Sequence, residues 1–496
     1  MGEQEPQQRR DRHSGDASGP SSSFLRGPLW LSVFHRISLF LCVSVVGVLF
    51  PGCTTAFDTN RATLESMHAG GAYDLAAALL DNPAQKDLYA DKNKLLYWLD
   101  RGAIALARDN TELAIELLEK AEDSMETKRE PTGGEQLATW LLNDTAKPYY
   151  GQPYEEIYVN VLKMLAQLEA GRIENGAVVE ARRAAGKANV LRDRYVRTRE
   201  ATVGTGDARF QSTLASTSNL VQTNEQGEFI ESTLGDFLSA VAFMKNGDWN
   251  DQAVAGRRLH TAIELQRTLQ GGQSIDEAPF ASVGELRPEE VNVVVVGLSG
   301  RGPTMVARRV GPIPIFEWPV YFELPELRGG SEEVGEVRVV CEPIDLGGKA
   351  ASVAPARLSK IEDMRAVAME NHRRQLPLIY ARTLLRSQLK AAAWFAASQA
   401  VRHSSSRGSS RDLATIGMIV GGLAFVGLTE KADLRCWTFL PGRADAAMLR
   451  LPPGKYRVRV EYLSRTGGVL YTSPAREITA GGDPRDLTTV VEHFWR

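Results

Sequence analysis

The sequence predicts an α+β chain: an N-terminal α-helical repeat array, then a β-rich, sandwich-like domain with a helical insert. Three observations lead there. From about residue 57 to 265 apolar and small residues recur at helical spacing. From 291 onward short β-branched runs bounded by Gly and Pro replace that period. Among those runs the helical period returns once, from Leu358 to Ala400.

Composition narrows the class of protein. A chain of 496 residues is too long for one ordinary domain. With 43% hydrophobic and 24% charged residues it is globular rather than disordered throughout. Lys and Arg number 58 against 61 Asp and Glu, a net charge of −3, which argues against nucleic-acid binding driven by charge. The mean hydropathy of −0.22 excludes a polytopic membrane protein. Four cysteines are too few for a disulfide scaffold, and the seven histidines show no metal-ligand spacing.

Residues 1–28 are polar, rich in Ser, Gly, Gln and Arg, and read as disordered. Arg26 and Arg36 precede an apolar run from Ile37 to Phe50, short for a membrane span and suited to a signal-peptide core. The run ends in Phe50-Pro51-Gly52-Cys53-Thr54, which resembles the lipobox of bacterial lipoproteins. On that resemblance Cys53 is the lipidation site and residues 1–52 are a disordered leader and signal peptide. The rest of the chain would then lie outside the cytoplasm on a membrane, and Thr54 points to the periplasmic face of the outer membrane. The other reading is an N-terminal anchor helix with an incidental Cys53. With residues 1–52 removed, Cys341 and Cys436 remain, either as one disulfide or as two buried thiols.

The helical domain is expected over 53–266. Ala69-Gly70-Gly71-Ala72-Tyr73 looks like the turn of one helix pair. Trp98, Gly102, Ala105, Ala114, Leu118 and Ala121 fall at the signature spacing of the 34-residue tetratricopeptide unit, with small residues where two helices cross closely. A third unit runs through Tyr158, Leu162, Leu165, Leu168, Ala177, Ala181 and Ala184. A weaker fourth surrounds Phe237, Val241, Met244, Gly247-Asp248-Trp249 and Ala253. This tetratricopeptide-like array would bury its apolar faces by stacking. Two segments break it: a loop over 129–155 with a short helix at Leu137–Leu142, and a polar insertion over 196–233.

A linker over 267–290 precedes the β-rich domain, 291–496. Strands are expected at Val291–Val296, Thr304–Val310, Val320–Glu323 and Val337–Cys341, in the alternating run Tyr456 to Tyr462, and near Val469–Thr472 and Thr488–Val491. The helical and apolar insert covers 358–428. Within it Arg382, Arg386 and Lys390 recur every four residues, either as a contact for an acidic partner or lipid headgroups, or as a solvated face over a packed stripe. The uncharged segment Leu413–Leu428, with Gly417 and Gly421, reads as a buried helix or hairpin or as a membrane-inserted element.

Catalytic motifs are not evident. Gly297-Leu298-Ser299-Gly300-Arg301-Gly302-Pro303 lacks the Lys-Ser/Thr ending of a phosphate loop and the spacing of a nucleophile elbow, and reads as a β-turn. Ser387 and Lys390 have a Ser–Lys spacing without companion motifs. Glu180 and Arg183 suit a bridge between neighbouring helices better than a ligand site.

Several blocks together resemble a family of bacterial tetratricopeptide-like cell-envelope lipoproteins of unknown molecular function. They are Leu142-Asn143-Asp144, Gly151-Gln152-Pro153-Tyr154-Glu155, Val179-Glu180-Ala181-Arg182-Arg183-Ala184 and Ile379-Tyr380-Ala381-Arg382. Lys431 to Leu440-Pro441 and Leu451-Pro452-Pro453-Gly454-Lys455-Tyr456 complete the set. The polar insertion and the long leader depart from the pattern. The resemblance implies a lipid-anchored envelope protein, often associated with activation of peptidoglycan synthases or with secretion-pore assembly, and it transfers no catalytic residue. The expectation is a protein-binding scaffold or adaptor with envelope protein partners, a membrane contact through its lipid anchor, and no cofactor, nucleic acid or small-molecule substrate. The alternatives are an envelope enzyme with a dispersed site, and a structural component that inserts 413–428 into the membrane.

Overall fold

The structure, a computed structural model, describes residues 56–495 apart from 128–146, 268–286, 345–354 and 405–430. It also omits short stretches at 86–87, 90, 222–223, 248–249, 255, 258–259, 261–263, 265–266, 316–317 and 331. Cys53 and its leader, Leu137–Leu142, most of the linker and Leu413–Leu428 lie outside the described residues. Among the described residues no helix is long and apolar enough to cross a membrane.

The first helices form antiparallel pairs. Helices α1 (Ala56–Ala69) and α2 (Tyr73–Asp81) turn at Gly71, whose φ is +68°. Helices α3 (Lys94–Ala107) and α4 (Thr111–Thr127) follow. A Cβ on Gly102 would stand 3.0 Å from Leu118 Cγ, which is why the close crossing takes a glycine there. Leu118 is fully buried, whereas Trp98 lies at the edge of the core with the Lys94 ammonium over its ring. Helix α5 (Pro153–Glu169) starts at a reciprocal Gln152–Glu155 cap with Pro153 in the first turn. Helix α6 (Val178–Thr205) runs 28 residues, and α7 (Ala208–Ser216) follows after Gly206. The predicted polar insertion is therefore mostly ordered helix. Its anchor is Phe210, fully buried among the apolar residues of a later hairpin and helix. Helix α8 (Thr233–Asn246) is capped by Ser232 and ends at Gly247 with φ +81°. The helix pairs are present; a 34-residue repeat is not established by them.

The β half differs from a sandwich. Strands β1 (Val293–Arg301), β4 (Val334–Pro343), β5 (Ala356–Asp363), β6 (Pro441–Leu449), β7 (Gly454–Ser464), β8 (Val469–Thr472), β9 (Arg476–Ala480) and β10 (Thr488–Phe494) form one mixed sheet, ordered β10-β1-β6-β5-β4-β7-β8, with β9 also on β7. β1 pairs in parallel with β10 from Val293↔Thr488 to Ser299↔Phe494. The sheet curls until it nearly closes. At the seam Tyr471 of β8 stacks on Phe494 of β10 at 5.2 Å, and the Tyr462 hydroxyl of β7 donates to the Glu492 carbonyl at 2.7 Å. Curling explains the valine run of β1. Val293 and Val295 enter the sheet's own core, while Val294, Val296 and Leu298 face the helices.

Strands β2 (Thr304–Ile315) and β3 (Trp318–Arg328) make a separate two-stranded hairpin. The long helix α9 (Met364–Ser404) packs on it through Tyr380, Ala381, Leu384 and Leu385. The predicted insert thus begins later than expected, because residues 356–363 are strand β5. Likewise Gly297 to Arg301 belong to β1, so the turn there is confined to Gly302-Pro303. One apolar cluster runs through both halves, joining Leu96, Leu99, Tyr158 and Phe237 to Val294, Phe439, Ala444 and Val491. Ala56–Arg496 forms one compact unit.

Candidate functional site

Residues 431–440, outside any helix or strand and turning at 438–439, lead into β6 as a strap laid across the helix pairs. Trp437, Phe439 and Leu440 of the strap are all at most 1% exposed. A non-helical segment buried among helices has no ladder partner, so its amides must find acceptors on side chains. Asp100, on the core face of α3, supplies one: its Oδ1 accepts from Thr438 N at 2.8 Å and from Phe439 N at 3.1 Å. Glu155, at the start of α5, supplies another, accepting from Trp437 N at 2.7 Å. The same carboxylate accepts from Gln152 N at 2.9 Å and from the Tyr149 hydroxyl at 2.8 Å.

Arg435 anchors the start of the strap. Its guanidinium reaches Asp433 at 2.6 Å, Asn93 Oδ1 at 3.0 Å and the Lys147 carbonyl at 3.1 Å, over the Tyr149 ring. Arg61 of α1 donates to the Leu434 carbonyl. At the far end the His68 ring meets Phe439 at 4.7 Å and Trp495 at 4.4 Å. Burial dominates the electrostatics. It pushes the Asp100 and Glu155 carboxyls up to about 7 against the hydrogen bonds that favour their charged forms. It holds the His68 imidazole down at about 3, hence neutral. Chemically the arrangement grips a peptide backbone: carboxylates accept N–H groups whatever the side chains are, and apolar pockets select Trp437 and Phe439.

Segments 151–155 and 431–440 thus touch each other through Glu155 and Trp437. Glu180 belongs to a second buried cluster. There Lys163, fully buried on α5, meets Glu119, Glu122 at 2.7 Å and Glu180 at 3.1 Å. Arg183 and Lys187 add contacts to Glu122. The three carboxylates could by spacing hold a metal ion. The Lys163 ammonium already bridges them, with Arg183 and Lys187 flanking Glu122, so the donor set is that of an ion-pair network joining α4, α5 and α6.

The sequence-predicted site residues are dispersed. Arg386 and Lys390 are buried and Arg382 is half-buried. Arg382 and Arg386 line a shallow recess with Lys147, Thr202 and Leu385. Cys341 and Cys436 are two free, buried thiols, not a disulfide. Cys341 sits in the core of the curled sheet and Cys436 in the helix-facing cluster. Burial pushes them up to about 11 and about 12. Ser387 is wholly buried, and the ring contacts of His68 and His493 are with aromatic residues.

Sequence reasoning missed Asp100 and Glu155 as the gripping groups. A signal existed for each. Asp100 lies on the apolar stripe of Leu96, Leu99 and Ala103, where a charge needs a partner. Glu155 stands three residues after Gln152 before an apolar run. Comparison with protein-family models, with curated proteins and with solved structures finds no match to this chain.

Proposed function

We propose that this chain is a lipid-anchored cell-envelope protein that works as a binding scaffold or adaptor, tethered through Cys53 to the periplasmic face of the outer membrane. Its role would lie in peptidoglycan-synthase activation or in envelope assembly and secretion. The observation that supports a binding role is the grip of Asp100 and Glu155 on the backbone of residues 437–439. Stacked helices carrying such groups hold chain segments without altering them. A helical array that fixes its own strap keeps its outer faces, where Leu75 and Val190 are exposed, in a set geometry for a second macromolecule. The signal-like leader and Cys53 supply the tether.

The test places photo-crosslinkers at Leu75 and Val190 in the full chain and labels cells with a palmitate analogue. Acyl label lost in Cys53→Ser, together with a reproducible crosslinked envelope protein, is the expected result. An unlabelled chain dissolved in the cytosol with no crosslinked product would overturn the reading.

A further inference from the structure

Helix α6 buries one face, through Glu180, Lys187, Leu191 and Tyr195. On the opposite face Val179, Arg183, Gly186, Val190, Asp193 and Arg197 are all exposed. Their spacing alternates four and three residues, which sets them in one row along about 27 Å of helix at 1.5 Å per residue. A row with that period stays in register against a second helix over its whole length, as the seam of a coiled pair does. Val179 and Val190 show 40% and 46% of their surface, and a Cβ added to Gly186 would meet nothing within 4 Å. An exposed valine thus stands one turn from an open notch.

The row is complementary to itself read backwards. In an antiparallel pair whose two-fold axis passes midway between Gly186 and Val190, every position of the row falls opposite another position of the row. Val190 of each copy then fills the space over Gly186 of the other, and Arg183 of each meets Asp193 of the other. Val179 lies against the aliphatic stem of Arg197. The charged groups can reach across. Arg183 turns Nη1 towards Glu122 and Glu180 at 3.2 Å and keeps 45% of its side chain exposed, while Asp193 is 65% exposed with Arg192 Nε at 3.8 Å. A parallel pair would set Arg183 against Arg183 and Asp193 against Asp193, so like charges reject it.

We propose that the outer face of α6 is a self-association surface, on which a second copy of this chain docks its own α6 antiparallel. Gly186 and Val190 lie at the centre, and two Arg183–Asp193 pairs flank them. One helix seam is small beside the roughly 800 Å² per partner of a stable interface, so the contact is transient and gains from anything that concentrates the copies. The inference goes beyond the scaffold reading and does not need the acyl tether. Pairing would give one assembly two copies of each remaining outer face, that of exposed Leu75 included.

The experiment co-expresses two differently tagged full chains, one of them carrying a photo-crosslinker at Val190. The expected result is a covalent product that bears both tags, with the link mapping by mass spectrometry to the stretch around Gly186. The same crosslinker at Leu75 should give no double-tagged product. Gly186→Leu in both copies closes the notch, and Asp193→Arg in both sets arginine against Arg183. Each should cut the double-tagged yield about tenfold. With open space around Gly186 the leucine leaves the fold intact, and an unchanged melting temperature of that variant checks this. No double-tagged product, an equal yield from Leu75, or a yield unchanged in both variants would overturn the proposal. A double-tagged product from Val190 in cells where Cys53 takes no acyl group would defeat the tether and leave the pairing standing.

Discussion

Tyr158 and Glu362, 204 residues apart, meet at 2.6 Å where the helical array touches the sheet. The Glu362 carboxylate also accepts from the Ser232 hydroxyl at 2.6 Å and from Leu234 N at 2.7 Å, at the amino end of α8. One buried carboxylate therefore binds α5, α8 and β5 together, aided by the positive end of a helix. Tyr158→Phe removes a single donor from it and should cost about 1.5–3 kcal/mol in urea unfolding. Ser232→Ala, which takes away both this bond and the helix cap, should cost at least as much. A loss under about 0.5 kcal/mol in both would show that the joint is not held by this group.

The strap predicts a sharper contrast at Asp100. Asp100→Ala leaves the Thr438 and Phe439 amides buried with no acceptor, a cost of about 2–5 kcal/mol. Asp100→Asn keeps one carbonyl oxygen and should lose less than half of that. Hydrogen exchange gives the local readout, because these two amides should lose protection in Asp100→Ala before the amides of β7 do.

Glu362 also sets a sign for pH dependence. Burial pushes its carboxyl up to about 7, above the range it has in an unfolded chain. The folded state then holds a proton that the unfolded state has released, so this contribution is fully present below about pH 4.5 and is lost as pH rises through 7. Glu362→Gln lacks it. The stability difference between wild type and Glu362→Gln should shrink between pH 5 and pH 7, by at most ~1.4 kcal/mol per pH unit. Taking the difference cancels the opposite contribution of the neutral His68 and His493, which is lost as pH falls below 6.5. A difference that widens with pH would refute the assignment.

Gly102 carries the close approach of α3 to α4. Its missing Cβ would stand 3.0 and 3.1 Å from Leu118 Cγ and Cδ2. Gly102→Val must push the helices apart and should cost about 1–3 kcal/mol, whereas a glycine-to-alanine change at exposed Gly186, with nothing within 4 Å, should stabilise by about 0.5–1 kcal/mol. Thermal unfolding of the two variants separates crowding from helix propensity.

Much of this architecture is readable wherever a local period reports burial. The alternation from Tyr456 to Tyr462 is strand β7, Val469–Thr472 is β8, and the spacing from Trp98 to Ala121 is the α3–α4 pair. The elements that escape have polar sequences buried by charge pairing. β5 (ARLSKIED) falls largely within the expected helical insert and β6 (PGRADAAML) matches no expected strand, yet Arg443 binds Asp445 at 2.6 Å and Glu332 at 2.7 Å, and Lys360 reaches Asp363 at 3.4 Å. The strap gives no local signal because its acceptors lie 282 and 338 residues away in Glu155 and Asp100. The insertion looked irregular because α6 and α7 are mostly solvated there, with Phe210 and Thr202 among the few side chains that dock.

Lys163 yields the prediction with two independent readouts. Its ammonium is fully buried among Glu119, Glu122 and Glu180. Lys163→Ala leaves three carboxylates against Arg183 and Lys187, an uncompensated charge in the protein interior that should cost about 3–5 kcal/mol. Lys163→Met, close in volume, should lose less, since the stem of Lys163 packs between α4 and α6. Truncation also frees a donor set, because oxygens of the three glutamates lie within 4.8 Å of one another. Ligands spaced that way can surround one calcium or manganese ion at ordinary metal–oxygen distances of about 2.0–2.6 Å. Millimolar calcium should therefore raise the melting temperature of Lys163→Ala and leave the wild type unmoved, with a chelator reversing the gain. An equal response in both chains would mean that the lysine is not what closes this site to cations.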